Sequence, residues 1–305
     1  MTPTHGSPDT GTGTGTGTGT ETVLPLDEWL PRARAHAARA DALCADHLER
    51  RSRGEKHPVW DFLFEYYPVT PGKLRRWSPG YGVALADARP EDVAHLRDVT
   101  VGADGVARLD EAALRDRRGD AIAYIRGLLA GTLANEAQFD CFGLHEWAMV
   151  YRADETRHPV PLRLGQARTD AVVDSHQVKC THYDAYRFFT PEAAPLNRNR
   201  PTRDTQPACE QAGCLHANMD LYKWATKLAP LVPGELWLDS FELARDIRRL
   251  DMEASPYDLA DRGFAPVPVE TPEGKAEYVR RQRGLAGRAA PIRSALLQLA
   301  DDFLG

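Results

Sequence analysis

Three short segments of the chain each combine a cysteine, a histidine and an acidic residue, which a purely structural core does not favour. They are CFGLHE at 141–146, CTHYD at 180–184 and CLHANMD at 214–220. Imidazole and carboxylate groups are the side chains that transfer protons or bind metal ions near neutral pH. If the segments meet in the fold, they predict one polar site. Its candidate catalytic residues are His145, Glu146, His182, Asp184, His216 and Asp220.

Three kinds of chemistry fit these side chains. In the first, a carboxylate beside a histidine sets the imidazole tautomer and orients a water molecule for attack, with no cofactor. In the second, His145, His182 and His216 bind one divalent metal ion, and a nearby acid completes the coordination or acts as a base. In the third, a cysteine nucleophile pairs with a histidine. The spacing contains no CxxC, HExxH or HxxxH pattern, so it does not select the metal.

Aromatic, amide and cationic side chains occur in and beside the same segments and suit a planar ligand. Rings stack on a flat heterocycle, and an electron-rich ring adds about 0.5 to 2 kcal/mol for a cationic base. The candidate substrate-binding residues are Trp147, Tyr183, Arg187, Asn218, Lys223 and Trp224. Core packing is the alternative for most of the rings. Six further arginines predict either phosphate contacts or a solvated surface: Arg198, Arg200, Arg203, Arg245, Arg248 and Arg249.

Apolar spacing predicts the helices that must hold this site. Steps of three and four predict helices over 30–48, 120–133, 142–151, 215–229 and 240–252, and two more towards the C-terminus. Asp120, Ser240 and Thr271 are the predicted helix caps. The polar segment at 191–213 is long for a simple connection and predicts a lid over the substrate.

Two regions predict strands. Asp104-Gly105 between short apolar runs predicts a hairpin over 99–109. The β-branched and aromatic residues of 172–189 predict two short strands, on which His182 and Asp184 would share one face. The expected fold class is therefore mainly α with a small β-sheet (α+β), in a single globular domain over 23–305.

Composition and charge limit the partners and the location of the protein. The Gly/Thr repeat predicts a disordered tail over 1–22. A net charge of −6 does not favour a polyanion such as DNA. Five scattered cysteines indicate reduced thiols, and no apolar stretch approaches the roughly 18 residues that predict a membrane span. We expect a cytoplasmic protein with no membrane contact and no evident protein partner.

Four longer strings resemble one protein family. They are FGLHEWAMVYR at 142–152, CTHYDAYRFFTPEAAPLN at 180–197, CLHANMDLYKW at 214–224 and SPYDL at 255–259. The likeness extends over 57–283 and is to an actinobacterial family usually labelled 3-methyladenine DNA glycosylase.

The resemblance implies a DNA-repair hydrolase that cleaves the N-glycosidic bond of an alkylated purine in DNA. Glu146 or Asp184 would then be the catalytic carboxylate, and Trp147, Tyr183 or Trp224 would stack on the base. Two alternatives remain open. One is a small-molecule enzyme, with or without a metal, that uses His145, His182 and His216. The other is a non-catalytic protein that binds a nucleobase-like ligand.

Overall fold

A computed structural model of the chain describes residues 21–156 and 158–305. Helices predominate in this part of the chain and one small sheet forms, so the mainly α fold with a small β-sheet is confirmed. Of the tail predicted over 1–22, residues 1–20 lie outside the described residues, and the first strand begins at Thr22. None of the helices described combines the length and the apolar character that crossing a membrane requires.

The sheet has four short strands. They are β1 (Thr22–Leu24), β2 (Val83–Leu85), β3 (Val99–Val101) and β4 (Ala107–Leu109), in the order β1-β2-β4-β3. β1 and β2 are parallel, whereas β4 pairs antiparallel with both β2 and β3. The predicted hairpin is therefore confirmed, and Gly105 at its turn has φ 72°. The sheet covers a small apolar cluster that includes Trp29 and Trp77.

The helices form the rest of the described fold. Their bounds are α1 Leu26–Ser52, α2 Phe62–Glu65, α3 Pro71–Leu74, α4 Pro90–Val93, α5 Glu111–Ala134, α6 Leu144–Ala148, α7 Gln166–Asp174, α8 Tyr183–Tyr186, α9 Gln206–Cys209, α10 Leu215–Met219, α11 Leu221–Leu228, α12 Gly234–Glu253 and α13 Pro272–Leu304. α12 contacts α1, α10, α11 and α13, so it runs through the main core. Side chains on its buried face therefore reach the centre of the protein.

The two strands predicted over 172–189 are wrong. This stretch contains the end of α7 and all of α8, and its sole β-type pairing is an isolated bridge between Val178 and Asn197. β-propensity reflects packing on a pleated surface, and no neighbouring strand supplies that surface here. His182 and Asp184 therefore meet the site from the first turn of a helix. His182 caps α8, and its ring Nδ1 accepts a hydrogen bond from the Ala185 amide at 3.2 Å.

Two of the three predicted helix caps are wrong. α5 begins nine residues before Asp120, and its cap is Asp110, which accepts a hydrogen bond from the Ala113 amide. Ser240 lies inside α12 and donates to the Trp237 carbonyl. Thr271 is confirmed as the cap of α13. The two C-terminal helices are one continuous helix, which contains Pro291.

The helix predicted over 215–229 is two helices, α10 and α11, which meet at Asp220. The predicted lid at 191–213 contains α9, and its last part is packed into the protein. Gln206, Glu210 and Gln211 are all buried. This end of the segment is therefore a wall of the protein interior and not a cover that lies over its surface.

Candidate active site

The three segments that carry histidines converge in the fold. The rings of His145 and His216 meet edge to face with centroids 4.4 Å apart, and the rings of His182 and His216 stack at 5.3 Å. His145 lies on α6, His182 precedes α8, and His216 lies on α10. The three stretches, far apart in the chain, therefore meet in the fold, and the prediction that they form one site stays a prediction.

A left-handed turn positions His145. Phe142 and Gly143 have φ of 51° and 71°, so the chain reverses immediately before α6 begins. A Cβ on Gly143 would lie 3.3 Å from the Tyr278 ring, which adds a packing reason for glycine at this turn. The reversal places Cys141 Sγ 3.8 Å from His145 Nδ1. The thiol therefore contacts the ring nitrogen that faces away from Asp251.

Tight packing against the segment before α6 positions α10. The Gln211 side-chain carbonyl accepts hydrogen bonds from the amides of Gln138 at 2.8 Å and Gly213 at 2.7 Å. A Cβ on Gly213 would lie 2.3 Å from the Gln138 carbonyl oxygen, so only glycine permits this approach. Gln282 on α13 donates to the Gly213 carbonyl at 2.7 Å. The contacts join the segments of His145 and His216.

The first of two polar clusters centres on Asp251. We call it the Asp251 cluster, and it consists of His145, Glu146, His216, Arg248 and Asp251. Asp251 Oδ1 lies 2.8 Å from His145 Nε2, and Oδ2 accepts from Arg248 Nη1 at 2.9 Å. His216 Nε2 lies 4.0 Å from Oδ2, and Arg248 Nη1 lies 3.7 Å from Glu146 Oε1. One buried carboxylate thus connects α6, α10 and α12.

The second cluster centres on Asp220. This Asp220 cluster consists of Tyr67, His182, Asp184, Glu210, Asp220 and Lys223. Because His182 Nδ1 accepts from a backbone amide, the proton of the neutral ring is on Nε2. That nitrogen lies 3.2 Å from Asp220 Oδ2 and 3.4 Å from Glu210 Oε1. Lys223 donates to Asp220 and, at 3.0 Å, to Asp184.

Charges in the Asp251 cluster oppose the effect of burial. Burial disfavours a charged imidazole, but the hydrogen bond to Asp251 outweighs it and raises the pKa of His145 well above its ordinary value. Burial and the neighbouring His145 charge lower the pKa of His216 well below its ordinary value. Burial alone would raise the pKa of Asp251, but the neighbouring histidines and Arg248 lower it. Near neutral pH, His145 is therefore protonated and His216 is neutral.

The same opposition operates in the Asp220 cluster. Burial would raise the pKa of Asp220, but Lys223 and His182 lower it. Burial would lower the pKa of Lys223, yet Asp220 and Asp184 help to raise it. Glu210 behaves differently, because burial dominates and raises its pKa. Lys223 and Asp220 are therefore a buried ion pair, whereas Glu210 ionises less readily than an exposed glutamate.

A small cavity of about 20 Å³ lies between the two clusters. It has room for about one water molecule, so a larger ligand enters only when the wall opens. Three aromatic rings, two carboxylates, two histidines and one arginine contribute to its wall, which is lined by Phe62, Tyr66, Glu146, Met149, His158, Asp184, Ala185, Phe188, His216 and Arg248. A second small cavity lies on the other side of His145 and His216 and is lined in part by Cys141, Cys180 and Cys214.

Three predicted substrate-binding residues are structural. Trp147 is fully buried, and its indole donates to the Ala254 carbonyl at 2.9 Å. Asn218 is fully buried and bonds to the Ala212 carbonyl and to Arg293. The Trp224 ring is buried beneath the Lys223 amine at 4.5 Å. None of the three lines the cavity between the clusters.

The other three predicted substrate-binding residues surround Asp184. Lys223 pairs with it directly. Arg187 Nε lies 3.3 Å from Asp184 Oδ1, and the Tyr183 ring lies 5.0 Å below the Arg203 guanidinium. Lys223 and Arg187 therefore pair with Asp184, which itself lines the cavity, and Tyr183 contacts the third partner of Asp184, Arg203.

Several of the arginines proposed as phosphate ligands pair with carboxylates. Arg203 lies 3.4 Å from Asp184, Arg245 lies 3.7 Å from Asp246, and Arg249 bonds to Glu253 at 2.9 Å. Arg248 is buried in the Asp251 cluster. These four side chains therefore do not form the continuous exposed basic surface that duplex DNA requires.

Sequence reasoning missed Asp251 and Glu210. Asp251 follows Ala244, Ile247 and Arg248 at the spacing of one helical face, so it is an acid at a position where an apolar residue was expected. That departure was a usable signal. Glu210 follows Gln206 by four residues, and the Gln206 amide donates to it at 2.6 Å. Because α9 is short and lies in a polar segment, it has no apolar periodicity that could have marked Glu210 as a buried acid.

The residues that could hold a metal differ from the predicted set. Within the described part of the chain, one ligand atom from each of His145, Glu146, His216 and Asp251 lies within 4.8 Å of the others. His182 is not in this group, because its Nε2 faces Asp220 and Glu210.

Comparison of the chain with protein-family models, with curated proteins and with solved structures finds no match.

Proposed function

We propose that the protein is a hydrolase of a small planar substrate and that one divalent metal ion binds to His145, Glu146, His216 and Asp251. The observation that carries this proposal is the convergence of four donor atoms from three helices, two of which, those of Glu146 and His216, belong to residues that line the cavity between the clusters. Such an ion, when bound, polarises the substrate and lowers the pKa of a bound water molecule to about 7. The proposal takes up the metal alternative that the sequence left open, but with Asp251 and Glu146 in place of His182.

The donor set suits a first-row divalent ion. Two imidazoles and two carboxylates are the ligands that Zn²⁺, Mn²⁺ and Fe²⁺ share. The two carboxylate charges compensate for those of the ion. The proton on His145 must leave when the ring nitrogen facing Asp251 becomes a ligand, so binding releases a proton.

The chain also supplies the groups that orient the ligands. Arg248 Nη1 holds Asp251 Oδ2 at 2.9 Å, and Cys141 Sγ contacts His145 Nδ1 at 3.8 Å. Partners of this kind fix the ring tautomer and the carboxylate orientation at metal sites. Arg248 therefore orients the Asp251 carboxylate, and Cys141 orients the His145 ring.

The cavity wall supplies the substrate contacts. Phe62, Tyr66 and Phe188 provide faces for a planar group. Asp184 stands on the same wall, and Lys223 helps to lower its pKa against the effect of burial. We assign Asp184 the role of accepting a proton from the substrate or from the attacking water.

Metal content tests the proposal most directly. Protein purified without chelator and loaded with Zn²⁺ or Mn²⁺ should hold about one equivalent after gel filtration. Asp251→Asn and His216→Ala should lose it, whereas the matched control His182→Ala should retain it. Wild-type protein that never retains metal would refute the proposal. Loss of metal in His182→Ala and His216→Ala, with retention in Asp251→Asn, would support the set of three histidines instead.

A second candidate is N-glycosidic hydrolysis of an alkylated purine, which the sequence resemblance implied. The aromatic rings and the two carboxylates of the cavity favour it, because alkylation makes the base cationic and cation–π attraction adds about 0.5 to 2 kcal/mol. Purified protein should then release 3-methyladenine from alkylated duplex DNA, with or without EDTA. Glu146→Gln or Asp184→Asn should reduce the release sharply. No release at high enzyme concentration rejects this candidate.

A further inference from the structure

We infer that the substrate of the cavity between the clusters carries a planar anionic group, such as a carboxylate, and that Arg248 binds it. The inference rests on the proposed function in taking this cavity as the substrate site and, for the charge balance alone, in placing a divalent ion beside Glu146 and Asp251. It names a class of substrate that the metal ligands alone do not specify.

The first observation is a buried guanidinium with unused donors. Arg248 is 1% exposed and lines the cavity. Its Nη1 donates to Asp251, but within the described residues Nε and Nη2 have no hydrogen-bond partner. A guanidinium has five N–H donors in a rigid fork, and buried donors in proteins are almost always paired. An acceptor that enters the cavity would complete the fork.

The second observation is that the fork is held in place. The Arg248 guanidinium carbon lies 4.2 Å from the centroid of the Phe62 ring, and the Phe62 ring stacks on Tyr66 at 4.8 Å with an interplanar angle of 8°. The bond from Nη1 to Asp251 fixes the other side of the group. The Arg248 guanidinium is therefore fixed on two sides while Nε and Nη2 stay unpaired, which favours bidentate recognition of a planar carboxylate.

The third observation is the charge around the cavity. Lys223 lies 3.0 Å from Asp184, with Arg187 at 3.3 Å and Arg203 at 3.4 Å, so this carboxylate is compensated. A divalent ion compensates for Glu146 and Asp251 in the proposed site. The positive charge of Arg248 then has no anion left to balance it among these groups. An anionic group on the substrate supplies one.

Benzoate and benzamide provide the test. The two probes share the ring that Phe62 and Tyr66 would contact, and they differ in the charge that Arg248 would recognise. In isothermal titrations of zinc-loaded protein, benzoate should bind at least about tenfold more tightly than benzamide, a difference of about 1.4 kcal/mol. Equal affinities would overturn the inference.

A pair of adjacent variants controls for general effects of charge. Arg248→Lys keeps the charge beside Asp251 and loses the planar fork, so it should abolish most of the preference for benzoate. Arg249→Lys changes the neighbouring residue, which is exposed and bonds to Glu253, and should leave the preference unchanged. If Arg248→Lys does not fold, equal affinities of benzoate and benzamide for wild-type protein still overturn the inference.

Failure of this inference is distinguishable from failure of the proposed function. Protein that holds one metal but binds both probes equally keeps the proposed function and loses the inference. If the protein binds no metal, the proposed function is rejected. The same titrations are then performed on metal-free protein. A benzoate preference that Arg248→Lys removes would still support the inference, and its absence would refute it.

Discussion

Asp251→Asn removes one negative charge from the centre of the Asp251 cluster. In the wild-type protein this fully buried carboxylate accepts from His145 at 2.8 Å and from Arg248 at 2.9 Å. The asparagine keeps the shape and loses the charge, so a protonated imidazole and a guanidinium lose the counter-ion that they share, and Glu146, 3.7 Å from Arg248, is the acid of the cluster that remains. Breaking a buried ion pair by removing one partner costs about 3–5 kcal/mol. We expect a loss of that size in the free energy of unfolding.

Urea unfolding at pH 7 in the presence of EDTA measures this loss without a contribution from bound metal. The matched control is Asp246→Asn on the same helix, where the acid is partly exposed and pairs with the exposed Arg288 at 2.8 Å. Exposed pairs contribute about 0–1 kcal/mol, so the control should shift the midpoint little. NMR titration should also show a lower pKa for His145 in Asp251→Asn, because the hydrogen bond that raises it is gone.

The reasoning fails if Asp251→Asn and Asp246→Asn destabilise the protein equally. It also fails if the pKa of His145 is the same in the variant and in the wild type. Either result would mean that Asp251 does not carry the charge that holds His145 and Arg248 together.

Two further predictions concern the Asp220 cluster. Burial raises the pKa of Glu210 because the folded protein favours the protonated carboxyl group. The free energy of unfolding is therefore unaffected by this group below pH 4.5, and it falls as pH rises through the raised pKa. Above pH 4.5, Glu210→Gln should therefore be more stable than the wild type, by up to about 1.4 kcal/mol per pH unit. Urea unfolding from pH 4 to 8 measures this, and a constant difference in the free energy of unfolding between the two proteins would contradict it. Lys223→Met leaves Asp220 and Asp184 without their shared cation and should lower the free energy of unfolding by about 3–5 kcal/mol. Lys227→Met, at an exposed position, should stay within about 1 kcal/mol, and equal losses in the two variants would show that Lys223 is not a buried counter-ion.

The sequence was informative where local pattern and packing agree. Apolar spacing identified α1 and α5 as helices, and Asp104-Gly105 identified the hairpin, because each depends on residues close together in the chain. The convergence of His145, His182 and His216 was a condition of the predicted site, suggested by the shared composition of three segments. Three polar segments need partners, and a shared interior provides them.

The sequence failed where distant packing decides. The region 172–189 has the residues of strands, but no neighbouring strand lies beside it. The role of Asp251 depends on α6 and α10, which are distant in sequence, so the spacing of α12 marked it only as an unexpected acid. Trp147 was predicted to stack on a substrate, yet its indole bonds to the Ala254 carbonyl in the core. Aromatic residues in a polar motif do not reveal which of them face a cavity.

The contact of Gly213 with Gln138 limits which sequences can build this protein. The Gly213 backbone packs against the carbonyl of Gln138, which lies 75 residues earlier in the chain (213 minus 138). In a saturation library, every non-glycine codon at 213 should be depleted, alanine included, although the residue has no chemical group to contribute. A search for the reactive residues by mutational tolerance would therefore single out this glycine as strongly as any histidine.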